Sequence, residues 1–173
     1  MGKIIFYEGR NFLGRKWECS TDTVDTFRHF KCCNSIQVTG GRWVAYEKPC
    51  YKGYQYILGQ GDYPDYPCWM GFNNCIRSCQ MIPTYRGEFK MRIYSRPDLT
   101  GHSMEFSDDC ADIFDRLHIH DIHSCKVSEG FWVLYEHPHF RGRQYFLCPG
   151  EYKSFVDWGG SDPLVGSLRK IKS

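Results

Sequence analysis

Three short stretches of the chain carry residue types that can do chemistry. "HIHDIH", residues 118 to 123, places three imidazoles and a carboxylate in six positions. Those are donor types that ligate zinc or copper. "NNCIRS", residues 73 to 78, offers amide and hydroxyl oxygens of the kind a hard cation such as Ca²⁺ takes. "YEKPCYKG", residues 46 to 53, brings together a carboxylate, an ammonium, a thiol and two phenols, the raw material of a nucleophile and its base. Ten cysteines in the chain add thiol chemistry or disulfide pairing.

Each of these weakens on closer reading. In an extended segment His118 and His120 share a face while His123 points the other way. No second ligand cluster accompanies them, so no physiological metal site is expected there, although adventitious Zn or Cu capture fits the imidazoles. In "NNCIRS" the guanidinium of Arg77 has no lone pair and repels a cation. No G-x-S-x-G elbow, G-x-G-x-x-G turn or Walker loop occurs, and "GQGDY" (59 to 63) reads as a turn between strands. The expectation is no catalytic, cofactor-binding or metal residue, no substrate, and no enzyme. Cys50 reads as an oxidation site rather than a nucleophile, and Arg141 and Arg143 as solvated surface.

The elements that position these groups recur. An aromatic is followed seven residues later by glycine in "FYEGRNFLG" (Tyr7 to Gly14), "AYEKPCYKG" (Tyr46 to Gly53), "IYSRPDLTG" (Tyr94 to Gly101) and "LYEHPHFRG" (Tyr135 to Gly142). Each unit reaches a serine before an apolar alternating segment: Ser35, Ser78, Ser124 and Ser167. The tyrosine-to-serine spacings are 28, 32, 30 and 32. Units two and four share more, "WVAYE" with "WVLYE" and "YQYIL" with "RQYFL". The chain is therefore a repeat of a repeat. Its short runs of β-branched and aromatic residues, separated by turn signals, predict an all-β sandwich architecture. The glycine fits a position of positive φ in a folded hairpin, and the later serine can bond that hairpin's backbone. "DDCADIFDRL" (108 to 117) predicts a short helix or turn, with "STDTVDTF" (20 to 27) as its counterpart. Repeat three has "YSR" where the others have "YE", so its hairpin lacks that glutamate.

Composition bounds the remaining classes. The net charge of +2 is far from the basic excess of a nucleic-acid binder. No apolar run approaches the roughly 20 residues of a membrane helix. The N-terminal "MGKIIFYEG" lacks the apolar stretch and cleavage site of a secretory leader, so the cysteines are expected to be free thiols that pack as small hydrophobes. Aromatics make up 17% of the chain, 29 residues in all.

Tyr/Phe-x6-Gly followed by Ser, four times in 173 residues, resembles the βγ-crystallin Greek-key motif over the whole chain. "IHSCKVSEGFWVLYE" and "YPDYPCWMGFNN" are similar to vertebrate lens γ-crystallins, most of all the S type. The resemblance implies an all-β fold of two β-sandwich domains, each of two Greek-key motifs and related by a pseudo-two-fold axis. The boundary falls at "PTYRG", a short segment carrying both Pro and Gly, which sets the N-terminal domain at 1–82, a linker at 83–87 and the C-terminal domain at 88–173. The resemblance implies that Trp43, Trp69, Trp132 and Trp158 are paired buried indoles, with Trp17 an addition, and that Tyr63 and Tyr152 are tyrosine corners. It implies that Val44, Ile57 and Ile82 face Val133, Phe146 and Ile171. Calcium-binding members use two Asn/Asp, two spacers and Ser/Thr-Ser. Asn73, Asn74 and Ser78 match, but Arg77 stands where a hydroxyl ligand belongs.

The function implied is structural: a soluble, long-lived, high-refractive-index constituent of the eye lens, in the cytoplasm of fibre cells. The expected form is a monomer with weak short-range contacts to other crystallins, with no cofactor, nucleic acid or membrane partner. The alternative is a calcium-binding βγ-crystallin module with weak or degenerate sites.

Overall fold

Alternation of inward and outward residues along short, aromatic-rich runs produces the strands. The computed structural model describes residues 1–172. Two units are present, one spanning Met1–Thr84 and one running from Tyr85 onward. In the first unit the strands are β1 (Lys3–Tyr7), β2 (Lys16–Cys19), β3 (Ser35–Gly40), β4 (Arg42–Lys48), β5 (Lys52–Leu58), β6 (Gly61–Tyr63) and β7 (Ser78–Ile82). In the second they are β8 (Lys90–Arg96), β9 (Thr100–Phe106), β10 (Ser124–Glu129), β11 (Trp132–His137), β12 (Arg141–Leu147), β13 (Gly150–Tyr152) and β14 (Ser167–Lys170).

All pairings within each unit are antiparallel, and the order explains why motifs come in twos. β1 pairs with both β2 and β3, and β3 pairs with β6. β6 is thus supplied to the first motif's sheet by the second motif. The second motif's sheet runs β5, β4, β7. Its outer place is filled from the first motif, by the bridge between Thr23 and Cys79. The second unit repeats the exchange: β9, β8, β10, β13 in one sheet, β12, β11, β14 in the other, with Cys110 bridged to Leu168. A lone motif would leave both a missing strand and an unpaired edge.

Each unit encloses its own apolar core. The first packs Ile4, Phe6, Phe30, Ile36, Trp43, Tyr56, Leu58, Trp69 and Ile76. The second packs Met91, Ile93, Ile113, Ile122, Trp132, Leu134, Leu147, Trp158 and Leu168. The four tryptophans named above are all buried, and Trp17 is half-buried, stacked on His29 at 3.9 Å. Trp43 and Trp132 each donate from Nε1 to the carbonyl three residues upstream, Gly40 and Glu129, both at 3.1 Å. Both tyrosine corners form: Tyr63 Oη donates to Gly59 O at 2.9 Å, and Tyr152 Oη to Cys148 O at 3.2 Å. Burial pushes the Tyr152 phenol up to about 12.

The segment 108–117 forms helix α1 (Ile113–Leu117), capped by Asp112, whose side chain accepts from Asp115 N. Its counterpart, 20–27, forms no helix and is held by the Thr23–Cys79 bridge and an Asp25 cap on Phe27 N.

Candidate functional site

The four hairpins are the chemically dense feature of this chain, and each is built the same way. After each motif tyrosine the chain runs on for three residues. Two consecutive non-glycine residues then adopt the left-handed conformation: Asn11 and Phe12, Cys50 and Tyr51, Asp98 and Leu99, His139 and Phe140, with φ between 54° and 63°. Such pairs are strained for ordinary side chains. The motif glycine follows at positive φ, 80° at Gly53 and 83° at Gly101. A Cβ on Gly53 would lie 2.7 Å from Glu47 Oε1, so both conformation and space demand glycine there.

Four sets of bonds over-determine this strained turn. The first residue of each left-handed pair donates its N–H to the sister motif: Asn11 to Pro64 O, Cys50 to Val24 O, Asp98 to Lys153 O, His139 to Ala111 O, at 2.7–2.9 Å. The second donates to the motif serine: Phe12 N to Ser35 Oγ, Tyr51 N to Ser78 Oγ, Leu99 N to Ser124 Oγ and Phe140 N to Ser167 Oγ, at 2.9–3.0 Å. Each serine hydroxyl then donates to a carbonyl at the hairpin's start, Gly9, Lys48, Arg96 or His137, at 2.5–2.7 Å. All four serines are fully buried. The residue before each serine donates to the motif tyrosine's carbonyl, as Arg77 N does to Tyr46 O at 2.8 Å. The serines are therefore clamps, with both hydrogen-bonding roles used and no free proton to give a base.

Glu47 and Glu136 are part of the same apparatus. Each accepts from the backbone N–H after the glycine, Tyr54 N and Arg143 N, at 3.2 Å. In repeat three the missing glutamate is replaced in function: Ser95 Oγ accepts from His102 N at 2.9 Å. Glu8 is directed elsewhere, to Lys31 N at 3.0 Å. Sequence reasoning missed the left-handed pairs. A signal was present, since Asn11, Asp98 and His139 are the types that tolerate this conformation, but Cys50 obscured it.

Two of the candidate side-chain oxygens of "NNCIRS", Asn73 Oδ1 and Ser78 Oγ, are committed to protein partners. Asn73 Nδ2 donates to Glu47 Oε2 at 2.8 Å while its Oδ1 accepts from Cys75 N at 2.9 Å, an Asx turn. Asn74 O accepts from Cys33 N at 2.7 Å. Arg77 lies 3.3 Å from Asp25 Oδ1 and 4.6 Å over the Phe27 ring. The cationic head of Arg77 thus fills the place beside the carboxylate of Asp25.

The histidine stretch is not the extended segment expected. Helix α1 runs up to it and His118 caps that helix in the left-handed conformation, φ 58°. As a result His118 and His120 both meet the Phe114 ring, at 5.9 and 4.0 Å, with His120 stacked at 7°. His123 lies against Phe155, 5.9 Å away. Among the described residues no group of three or more His, Cys, Asp or Glu converges as a metal site would.

All ten cysteines are free, five of them buried. Burial pushes the Cys33 and Cys125 thiols well up. The neighbouring Cys19 thiol, together with burial, raises the Cys79 thiol. The Cys19 sulfur also meets Thr23 Oγ1 at 3.4 Å and Thr21 O at 2.9 Å. Arg141 is exposed, and Arg143 reaches Ser161 Oγ at 2.9 Å.

Four strand-exchanged, serine-clamped hairpins define a β-sandwich class built from paired Greek-key motifs. The Beta/Gamma crystallin family profile matches residues 3–82 and 90–171. The chain belongs to that family. It is 60% identical to gamma-crystallin M2 of Chiloscyllium indicum, covering 99% of this chain and 97% of that one. It is 56% identical to gamma-crystallin-1 of Xenopus laevis, covering 99% and 98%. An S-type chain, gamma-crystallin S-1 of Chiloscyllium indicum, is 57% identical over 99% of each chain.

Proposed function

We propose that this chain is a γ-crystallin of the eye lens, a structural protein that raises refractive index at high concentration and is not an enzyme. The observation that carries this is the fourfold clamp together with identity of 56–60% to γ-crystallins over the whole chain. The composition supports it. Aromatic rings, sulfur and guanidinium groups are polarizable, and the chain has 29 aromatics, 10 Cys, 5 Met and 12 Arg. Residues 1–87 hold 11 basic and 7 acidic groups and residues 88–173 hold 11 and 13, so mixed charge rather than one large field covers the surface.

A monomer in the cytoplasm of lens fibre cells, touching other crystallins weakly, is the form this reading carries. No helix among the described residues is long and apolar enough to cross a membrane. We further propose 83–87 as a linker between domains 1–82 and 88–173, supported by the division after Thr84 and by profile matches that stop at 82 and resume at 90. No catalytic or metal residue is assigned, and the commitment of Asn73, Ser78 and Arg77 to protein partners supports that reading.

Quantifying the protein in lens against other tissues tests the function. Lens dominance is expected, and comparable abundance elsewhere would overturn it. Differential refractometry should give an increment per unit mass above that of average globular proteins. Calorimetry with Ca²⁺ separates the calcium-binding alternative: no heat at micromolar concentrations is expected.

A further inference from the structure

We infer that Cys32 and Cys75 form a surface dithiol that exchanges with low-molecular-weight disulfides such as oxidised glutathione and closes to an internal bridge. Three observations place the two residues opposite each other. First, Cys33 N donates to Asn74 O at 2.7 Å. In antiparallel pairing a bond from residue i+1 to residue j−1 flanks the non-hydrogen-bonded pair i and j, and here that pair is 32 and 75. Second, Cys33 and Ile76 are both buried in the core of the first unit, so their preceding neighbours turn outward. Cys32 is half-buried and Cys75 exposed. Third, the internal repeat supplies a direct control. Counting back three residues from Ser124 and Ser167 gives Asp121 and Leu164, which hold the places of Cys32 and Cys75 in the second unit. Those two residues are bridge partners in antiparallel pairing, and the flanking bond, Ile122 N to Pro163 O at 2.8 Å, is also present. Non-hydrogen-bonded antiparallel pairs have Cα atoms about 4.5 Å apart, inside the range of about 4.4–6.8 Å that a disulfide spans.

The two thiols have different roles. Burial, with Glu8 and Cys75 nearby, raises the Cys32 thiol, and its sulfur lies 3.8 Å from Glu8 O. Cys75 is the exposed member and therefore the entry point. Its thiolate attacks one sulfur of glutathione disulfide, forming a mixed disulfide and expelling one glutathione thiolate. The Cys32 thiolate then attacks Sγ of Cys75, forming the protein disulfide and expelling the second glutathione thiolate. Two protein thiols lose two protons and two electrons, and one glutathione disulfide becomes two glutathiones. Cys33 does not compete, because it is fully buried and donates to Ser35 O. The bridge joins the segment entering β3 to the segment entering β7, the two motifs of the first unit.

The test uses the full chain, reduced, then exposed to oxidised glutathione, with remaining thiols alkylated and the mass read intact and after digestion. The expected product has lost two hydrogens and links the peptide holding Cys32 to that holding Cys75. Cys32→Ser should instead retain one glutathione on Cys75. Cys75→Ser should lose the bridge, and its Cys32 should react with oxidised glutathione about tenfold more slowly than Cys75 does in Cys32→Ser. Tryptophan fluorescence of both variants should match wild type, which shows that they fold. A stable glutathione adduct on wild-type Cys75, a bridge between any other pair, or unchanged bridging in either variant would overturn the assignment.

Discussion

The second and third hairpins, residues 46–53 and 94–101, agree only at tyrosine, proline and glycine, and yet follow one path. Cys50 and Tyr51 have φ of 59° and 61°, and Asp98 and Leu99 have 59° and 58°. The clamping serines reach their carbonyls at 2.6 and 2.5 Å and receive their amides at 3.0 Å in both. Where the hairpins differ, different side chains make the equivalent bond. Glu47 in one and Ser95 in the other accept the backbone N–H that follows the glycine. Only the second goes further, with Glu47 Oε2 holding Asn73 and the Tyr46 ring meeting Tyr51 edge-on at 5.4 Å. The difference teaches that what this motif requires is a backbone trajectory with its N–H and C=O groups satisfied. Side-chain identity matters only where a clash or a bond depends on it.

Substitutions at equivalent positions test that equivalence. The largest effect is expected from Gly53→Val and Gly101→Val, which add a β-branched side chain at positive φ and drive it into Glu47 or Ser95. Each should cost about 3 kcal/mol in urea unfolding followed by tryptophan fluorescence. A hairpin that tolerates valine is not held by its backbone, and the comparison would break. Next come Ser78→Ala and Ser124→Ala, each leaving a buried amide and carbonyl unpaired, at about 2 kcal/mol apiece and equal within error.

Smaller changes sharpen the contrast. Glu47→Ala removes two bonds and should cost about 1.5 kcal/mol, whereas Ser95→Ala removes one and should cost about half that. Equal losses would show that the Glu47–Asn73 bond contributes nothing. Smallest of all, Cys50→Asn should stabilise by a few tenths of a kcal/mol, roughly 0.5 at most, because asparagine tolerates the left-handed region better than cysteine. Asp98→Asn, made where the residue already suits that conformation, should leave the unfolding midpoint unchanged.

Much of the fold was legible because the repeat made it redundant. Four spacings of seven, each with a later serine, identified the hairpins and their clamps from the chain alone, and the tyrosine corners and buried tryptophans followed from the family resemblance. The glutamate missing from repeat three was legible as a gap, but not that Ser95 fills it. A shorter side chain reaching the same N–H depends on where the backbone bulges, and residue type does not record that. The histidine stretch was read with the wrong local geometry. Alternation assumes an extended chain, whereas helix α1 and the left-handed cap at His118 rotate both imidazoles onto Phe114.

By itself the sequence determined the number of motifs, their glycine and serine positions, the β character of every long run and the absence of a recognisable catalytic frame. Those are local properties, set by φ preferences, alternation and turn chemistry along the chain. Tertiary structure alone decided which motif lends its third strand to which sheet, and that the oxygens of Asn73 and Ser78 are bonded within the protein. It also decided that the segments holding Cys32 and Cys75, 43 positions apart in the chain, are joined by the bond from Cys33 N to Asn74 O. Such meetings depend on long-range register, and register follows from the packing of a whole sheet face rather than from any single residue.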